Sequence, residues 1–245
     1  MAEKKELEKK SLESGKPARN IRLSVVVAAI VAVTAALVIA AVLLSHGGRE
    51  FYAEYPTGGE IVTVDVEKNP VATVKLSDGT SFDIELCYYA APNTVADFIA
   101  LAEAGQYNGM AFNQVKKGYN YVMLNNADGV YTPTYYIQRE LGKDSGHPLS
   151  HTRGVVSMQP VRIGDDTVTG QFFVVTTDAA FLDKNFSAFG KISDEDMAIF
   201  DKIVAMEPNS DGMIENPISI KSVKVETYGV DFPKPVIIPI QKDAK

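Results

Sequence analysis

The fold of this chain is decided by residues 151–192, which read HTRGVVSMQPVRIGDDTVTGQFFVVTTDAAFLDKNFSAFGKI. The β-branched and aromatic runs at 154–158 and 170–176 are typical of strands, because such side chains pack well on a pleated surface. Turn-forming residues separate these runs at 164–167 and 183–185, where Gly, Asp and Asn tolerate unusual backbone angles. The stretch therefore predicts strands that present a wall of aromatic side chains with loops at its rim.

The composition is that of an ordinary globular protein. The 245 residues are 46% hydrophobic and 22% charged, which is enough chain for one substantial core with appendages. The net charge of -7 is uneven, because residues 1–22 hold seven Lys/Arg against four Asp/Glu and the remainder holds seventeen against twenty-seven. An acidic main domain offers no basic face for phosphates, which excludes nucleic acid as a partner. Cys87 is the only cysteine, which excludes an internal disulfide and a cysteine-based zinc site.

The N-terminal segment has the pattern of a membrane anchor. Residues 1–22 are rich in Lys and Glu and predict a disordered cytoplasmic tail. Residues 23–44 have only Ser24 and Thr34 as polar residues, and this length is enough to cross a hydrocarbon core of roughly 30 Å. A cleaved signal peptide is the alternative, but its apolar region usually spans about 7–15 residues. The excess of Lys/Arg before the span predicts a single-pass protein of the cell membrane, with its main domain outside the cytoplasm.

The rest of the chain divides into a linker, one domain and a tail. Residues 45–60 contain several Gly residues and a Pro, and they predict a linker. Residues 61–228 predict the folded domain, and residues 229–245, with three prolines, predict an extended C-terminal tail. Strands outside the central stretch are predicted at 61–66, 71–76, 82–86, 110–115, 118–124 and 218–225.

Two amphipathic segments predict the helices of the domain. The first has Asn93 or Thr94 as its N-cap and ends near Gly105, with apolar residues spaced for one face. The second covers residues 194–206 and has Ser193 as its N-cap. Since each helix has one apolar face, both are expected to pack on the sheet.

Several short motifs, in order and nearly in spacing, resemble the cyclophilin-type peptidyl-prolyl isomerases over roughly residues 70–227. They are FDIEL and APNTVADF within residues 82–98, RGVVSM at 153–158, QFFV at 171–174 and FGKI at 189–192. The resemblance implies a mainly β fold, a closed eight-stranded antiparallel barrel capped by two helices. In this chain the barrel would be preceded by one transmembrane helix.

The resemblance also implies a site that binds proline-containing polypeptide segments. Gln171 would hydrogen-bond the substrate backbone, and Gln114 stands at the position of the family's catalytic Arg. By ungapped counting, Asn120, Val122 and Gln159 stand where the family usually has a pocket Met, a substrate-binding Gln and a small Ala. The proline ring would lie among Phe112, Tyr119, Phe173, Phe181, Leu182 and Phe186.

Isomerisation of an X-Pro bond needs no nucleophile, metal or cofactor. Rotation crosses a barrier of about 18–20 kcal/mol because planarity preserves the amide resonance. A catalyst holds the proline ring, grips the flanking backbone and places a donor where the twisted amide gains electron density. A neutral Gln114 amide in place of a charged Arg weakens this donor by on the order of 1–2 kcal/mol, which predicts a rate loss of about five- to thirtyfold.

Other functions have less support in the sequence. His147 and His151 have a metal-ligand spacing, but Pro148 disfavours a helix there and further ligands are not evident, so no metal site is expected. The chain has no hydrolase elbow and no phosphate loop, which disfavours hydrolase and nucleotide-binding functions. Two hypotheses remain. The chain is an isomerase of reduced activity that helps exported proteins fold, or a non-catalytic peptide-binding or chaperone module with the same barrel.

Overall fold

The computed structural model describes residues 55–126 and 131–240. The predicted tail at 1–22, the predicted membrane span at 23–44 and most of the predicted linker lie outside these described residues. Among the described residues, no helix is long and apolar enough to cross a membrane.

Ten strands and three helices follow one another along the described part of the chain. The helices are α1 Pro92–Glu103, α2 Gly142–Ser145 and α3 Met197–Ala205. The strands are β1 Val71–Leu76, β2 Ser81–Leu86, β3 Ala111–Lys116, β4 Tyr121–Asn125, β5 Tyr135–Gln138, β6 Val155–Pro160, β7 Thr167–Val175, β8 Ser187–Ile192, β9 Met213–Glu226 and β10 Ile237–Pro239.

Eight of these strands close into an antiparallel barrel. Their hydrogen-bonded order is β7-β4-β3-β9-β1-β2-β8-β6, and β6 pairs again with β7, for example at Val156↔Val174. Closure satisfies the backbone groups that an open sheet would leave at its edges. The mainly β, eight-stranded barrel implied by the resemblance is confirmed, and β5 and β10 extend the sheet beyond it.

Alternating side chains from the strands fill the barrel, as the sequence pattern predicts. In β2 every second residue is buried, which places Phe82 inside. The ring of Phe112 lies 6.0 Å from that of Phe82 and 5.2 Å from that of Phe200 in α3. Helix α1 places Phe98 against Phe172 of β7 at 5.7 Å. The two predicted helices therefore contribute aromatic rings to one continuous core.

Helix α1 begins earlier than predicted and is capped from a distant part of the chain. Pro92 lies in its first turn, where a missing N–H leaves no hydrogen bond unmade. The Glu140 carboxylate accepts hydrogen bonds from the backbone N–H groups of Asn93 at 3.0 Å and Thr94 at 2.7 Å. A carboxylate at this end also complements the helix dipole.

The predicted strand at 61–66 is wrong. This segment pairs with no other strand among the described residues, and Val62 is exposed. The backbone N–H groups of Val64 and Val66 donate instead to the hydroxyls of Tyr88 at 3.1 Å and Tyr89 at 2.8 Å. Two tyrosine side chains thus satisfy the donors that a neighbouring strand would have satisfied.

The C-terminal segment is part of the folded domain as far as residue 240. Strand β10 pairs with β5, and the N–H of Ile237 donates to the carbonyl of Pro56 at 2.9 Å. The side-chain amide of Asn93 bonds both to the N–H of Val236 at 2.8 Å and to its carbonyl at 3.0 Å. The end of the predicted linker and the first part of the predicted tail are therefore hydrogen-bonded to each other, and the tail is also hydrogen-bonded to the domain.

Candidate active site

The outer face of β7 carries the aromatic side chains that the sequence singles out. Neighbouring side chains of a strand point to opposite faces, so Phe172 lies in the barrel interior and Phe173 on the outside. Phe173 packs there in one buried cluster with Tyr121, Met123 and Phe186. We define the aromatic pocket as the surface formed by Tyr119, Tyr121, Phe173, Phe181, Leu182 and Phe186.

Tyr121 covers Phe173 within this pocket. The two rings are stacked with their centroids 4.1 Å apart, and Phe186 meets Phe173 edge-on at 5.2 Å. Phe173 is completely buried, whereas Tyr119 is 41% exposed and Phe181 is 54% exposed, with 6.4 Å between their rings. The accessible part of the pocket is therefore Tyr119 and Phe181, and the proline contacts predicted for the pocket residues stay predictions.

The prediction that Asn120 lies in the pocket is corrected by the structure. Asn120 ends the 3₁₀ turn Lys117–Tyr119 with φ of 59°, and its side-chain amide donates to the carbonyl of Asp178 at 3.3 Å. This left-handed residue shifts the register of β4 by one position relative to ungapped counting. Tyr121 and Met123 consequently face the pocket, and Val122 is buried on the opposite face of β4.

The prediction for Phe112 is also corrected, because its ring lies in the barrel interior rather than in the pocket. A β-bulge between Phe112 and Gln114 leaves Asn113 unpaired in the ladder and lets Gln114 pair with Met123 of β4. Gln114 is half-buried beside the pocket. Its Nε2 is 3.5 Å from the carbonyl of Asp211, at the long limit for a hydrogen bond, so this amide is only weakly held.

Gln171 is buried in a chain of side-chain amides. Its Nε2 donates to the carbonyl of Leu124 at 2.8 Å and to Oδ1 of Asn125. The amide of Asn125 donates to Oδ1 of Asn113 at 2.8 Å, and the amide of Asn113 donates to the carbonyl of Asn126 at 3.0 Å. Both N–H groups of Gln171 are used internally, and its predicted hydrogen bond to a substrate backbone stays a prediction.

Gln159 lies on β6 where the ladder to β7 is irregular. Its backbone carbonyl accepts a hydrogen bond from the Thr169 hydroxyl at 3.2 Å. Its side-chain Oε1 is buried and has no hydrogen-bond partner within the described ranges. An unpaired buried acceptor costs roughly 1–3 kcal/mol of folding stability. Gln159 therefore keeps an unfavourable unpaired acceptor at a position predicted to belong to the substrate site.

The turn that carries Phe181 and Leu182 is held by His151. This 3₁₀ turn, Ala180–Lys184, includes Asp183, whose Oδ1 accepts from the backbone N–H of His151 at 2.8 Å and from its Nδ1 at 2.7 Å. The carbonyl of His151 accepts from the N–H of Ala179 at 2.7 Å. His151 thus fixes both ends of the segment that forms one side of the aromatic pocket.

The charges of this pair follow from its surroundings. Burial lowers the pKa of the His151 imidazole, although Asp183 acts in the opposite direction. Burial would raise the pKa of Asp183, but hydrogen bonds from Ser150 and His151 hold that pKa below its ordinary value. A neutral imidazole that donates through Nδ1 accepts the hydroxyl of Ser157 at Nε2, 3.0 Å away. Ser157 is fully buried, so this His-Asp-Ser arrangement offers no nucleophile to a substrate.

One arginine near the pocket, Arg139, is occupied by other partners. The guanidinium of Arg139 bonds to Asp166 at 2.8 Å and to the carbonyl of Asn185 at 3.4 Å. No group of three His, Cys, Asp or Glu residues in the described ranges is arranged to hold a metal ion. The candidate donor to a substrate amide is therefore the Gln114 side chain.

Three comparisons with known proteins agree with this geometry. The family model for cyclophilin type peptidyl-prolyl cis-trans isomerase/CLD matches residues 71–225. The chain is 34% identical over 148 residues to a peptidyl-prolyl cis-trans isomerase of Helicobacter pylori, which covers 59% of this chain and 86% of that protein. It is 35% identical over 119 residues to peptidyl-prolyl cis-trans isomerase B of Bacillus subtilis, which covers 48% of this chain and 80% of that protein.

Solved structures show the same fold. A cyclophilin type peptidyl-prolyl cis-trans isomerase of Cryptosporidium parvum matches with a TM-score of 0.55 at 19% identity, over 64% of this chain and 98% of that protein. A second structure of that protein, in the presence of the dipeptide Ala-Pro, also gives a TM-score of 0.55. Because the family model covers more than half of the sequence, this chain belongs to the family of cyclophilin-type peptidyl-prolyl cis-trans isomerases, which confirms the predicted enzyme class.

Proposed function

We propose that this chain is a membrane-anchored prolyl isomerase of reduced activity that acts on exported proteins outside the cytoplasm. Family membership supports the reaction, and the aromatic pocket supports recognition of proline. The apolar run at 23–44 and the excess of Lys/Arg before it support the anchor and its orientation. Slow X-Pro isomerisation limits the folding of many proteins, and exported proteins are the clients that an enzyme at this location meets.

The observation that carries the proposal is the position of Gln114 beside the aromatic pocket. Gln114 pairs with Met123, whose side chain belongs to the same cluster as Phe173 and Tyr121. A proline ring bound at the pocket brings its own amide close to this strand. The Gln114 amide then donates to the twisted X-Pro bond, and no covalent bond is made or broken.

Two features account for a reduced rate. Replacing a charged donor with the neutral Gln114 amide removes on the order of 1–2 kcal/mol of transition-state stabilisation, or about five- to thirtyfold in rate. Independently, Tyr121 covers Phe173, and separating such a ring pair costs about 0.5–1.5 kcal/mol. If binding requires the uncovered ring, the apparent affinity for a proline segment falls by about two- to tenfold.

The test is exchange spectroscopy on a proline peptide with the full-length chain in detergent micelles. We expect accelerated cis-trans exchange at micromolar protein and a further five- to thirtyfold gain in Gln114→Arg, from the charged donor. Gln138→Arg, which adds the same charge at an exposed position of β5, should leave the rate unchanged. Absence of exchange in both the wild type and Gln114→Arg would exclude catalysis.

The second candidate function is peptide binding without turnover. The observation that favours it is the internal use of both Gln171 amide hydrogens, which removes one donor from the substrate groove. Under this alternative, the NMR signals of proline peptides shift or broaden when the chain is added, but exchange between their cis and trans signals is not accelerated. The same samples therefore distinguish the two functions.

A further inference from the structure

Clefts of about 420 Å³, 440 Å³ and 350 Å³ open at three places on the described surface, and the third includes Tyr119 of the aromatic pocket in its lining. One side of this third cleft is formed by residues 115–119, which connect β3 to β4. The other side is formed by residues 208–212, which precede β9. We call it the basic cleft, because Lys116 and Lys117 lie on its first side.

The basic cleft is continuous with the aromatic pocket. Tyr119 lines the cleft and also contacts Phe181 of the pocket, with 6.4 Å between the ring centroids. Gln114 lies between the two, since its Nε2 is 3.5 Å from the carbonyl of Asp211 in the far side of the cleft. An extended peptide advances about 3.3–3.6 Å per residue, so residues close to a bound proline pass over the cleft.

The backbone of the cleft is fixed before any ligand binds. The N–H of Val115 donates to the carbonyl of Gly212 at 2.8 Å. Gly212 has φ of 79°, and a Cβ at this position would lie 2.5 Å from the carbonyl oxygen of Val115, so only glycine allows this approach. Oδ1 of Asn209 accepts from the N–H groups of Asp211 at 2.9 Å and Met213 at 3.0 Å.

The charge of the cleft is opposite to that of the whole chain. Lys116 and Lys117 are the only adjacent pair of basic residues between residues 55 and 240, in a chain with a net charge of -7. Neither ammonium group forms an ion pair with any residue in the described ranges. Asp211 contributes one carboxylate to the same cleft, which leaves one positive charge in excess.

We propose that the basic cleft binds an acidic side chain of the substrate, so that the enzyme prefers proline segments with Asp or Glu close to the proline. This inference rests on the proposed function, because it assigns a substrate class to the same site. Each exposed ion pair contributes modestly, so the expected preference is about two- to fivefold in the dissociation constant at low salt.

The experiment compares labelled eight-residue peptides that contain one proline and either Glu or Gln two residues away, on one side or the other. Binding to the full-length chain is measured by fluorescence anisotropy. We expect the Glu peptide to bind about two- to fivefold more tightly than the Gln peptide for one of the two placements. The difference should vanish at 1 M salt, where the Debye length falls to about 3 Å.

Matched variants identify the cleft as the source of the preference. Lys116→Gln together with Lys117→Gln should abolish it, whereas Lys221→Gln together with Lys224→Gln, two exposed lysines of β9 outside the cleft, should leave it intact. Equal binding of Glu and Gln peptides by the wild type overturns the inference. A preference that survives in the Lys116/Lys117 double variant overturns it as well.

Exchange spectroscopy on the Gln peptides separates this inference from the proposed function. A Glu preference without accelerated exchange supports the cleft and contradicts the proposed turnover. Accelerated exchange without a Glu preference supports the turnover and contradicts the cleft.

Discussion

The two sides of the aromatic pocket are built by different means. The side formed by β7 and the turn Ala180–Lys184 is fixed by aromatic packing and by the charge-assisted hydrogen bonds between His151 and Asp183. The side formed by β3 and β4 contains a bulge, a left-handed residue at Asn120 and neutral amide contacts. The first side carries motifs on which the family resemblance rests, and the second carries Gln114, the donor of the proposed function.

The difference shows where a barrel enzyme can vary without losing its fold. On β3 and β4 the inward residues Phe112 and Val122 remain apolar and buried, so the core is preserved. The bulge and the left-handed turn change only which side chains reach the outer face. Side chains on that outer face can therefore be replaced without disturbing the packing of the barrel.

The largest effect is expected from Phe173→Ala on the well-matched side. Removing a buried phenylalanine costs about 3–5 kcal/mol of unfolding free energy, and Phe172→Ala, inside the barrel, should cost a similar amount. Only Phe173→Ala should also abolish peptide binding, because only that ring belongs to the pocket. Denaturant unfolding and peptide anisotropy, measured where both variants are folded, check this. An equal loss of affinity in both variants would contradict the assignment of the two faces.

Asp183→Asn should weaken the same side by about 1–2 kcal/mol of unfolding free energy, because hydrogen bonds to a charged group are lost at a carboxylate that is 37% exposed. Asp166→Asn, which disrupts the exposed pair with Arg139, is the control and should cost less than about 1 kcal/mol. We also expect a higher KM for Asp183→Asn, since the turn that carries Phe181 loosens. An unchanged KM would show that the hydrogen bonds between His151 and Asp183 stabilise the fold without affecting substrate binding.

The effect of Asp183→Asn should depend on pH in a defined direction. Burial would raise the pKa of Asp183, but its hydrogen bonds hold it below the ordinary value near 4. The carboxylate therefore stabilises the fold above about pH 4, and this contribution is lost as the pH falls through the lower pKa of the folded state. Thermal unfolding of both proteins between pH 3 and pH 7 should show their difference shrinking at the acidic end.

On the divergent side, Tyr121→Ala should raise peptide affinity by about two- to tenfold, because no stacked pair has to separate before proline reaches Phe173. Tyr119→Ala removes an exposed ring of the same pocket and should weaken binding instead. Peptide titrations of the two variants give opposite changes under this interpretation. If both variants bind more weakly, Tyr121 contacts the proline directly rather than covering its site.

The sequence predicts what depends on local pattern. Alternation and turn residues identify most strands, and amphipathic spacing identifies α1 and α3 but not the short α2, because these signals lie within one longer element. The sequence does not predict contacts between distant residues. The Glu140 carboxylate caps α1 although it lies 46 residues from Thr94 in the sequence. The N–H groups of Val64 and Val66 bond to two tyrosine hydroxyls and not to a neighbouring strand, as the strand predicted at 61–66 would require.

The candidate site shows the same limit. The family resemblance implies that Gln114 and Phe173 lie beside one pocket, but the buried position of Gln171 depends on Asn125 in the neighbouring strand β4 and on Asn113 in β3 beyond it. One signal in the sequence points to the register shift at Asn120. Asn tolerates the left-handed conformation better than other residues with a side chain, and here it follows a 3₁₀ turn that contains Gly118.

The smallest effect is expected from Asn120→Gly, which tests that register shift. Glycine adopts φ of 59° without strain, so the variant should lose only the 3.3 Å hydrogen bond to Asp178 and change the unfolding free energy by no more than about 1 kcal/mol. Asn120→Ala, which forces a Cβ into the same conformation, should cost a further 1–2 kcal/mol or so. Neither variant should change peptide affinity, because the Asn120 side chain points to Asp178 and not to the pocket. Loss of affinity in Asn120→Gly as large as that in Tyr119→Ala would instead place Asn120 at the proline, as ungapped counting predicts.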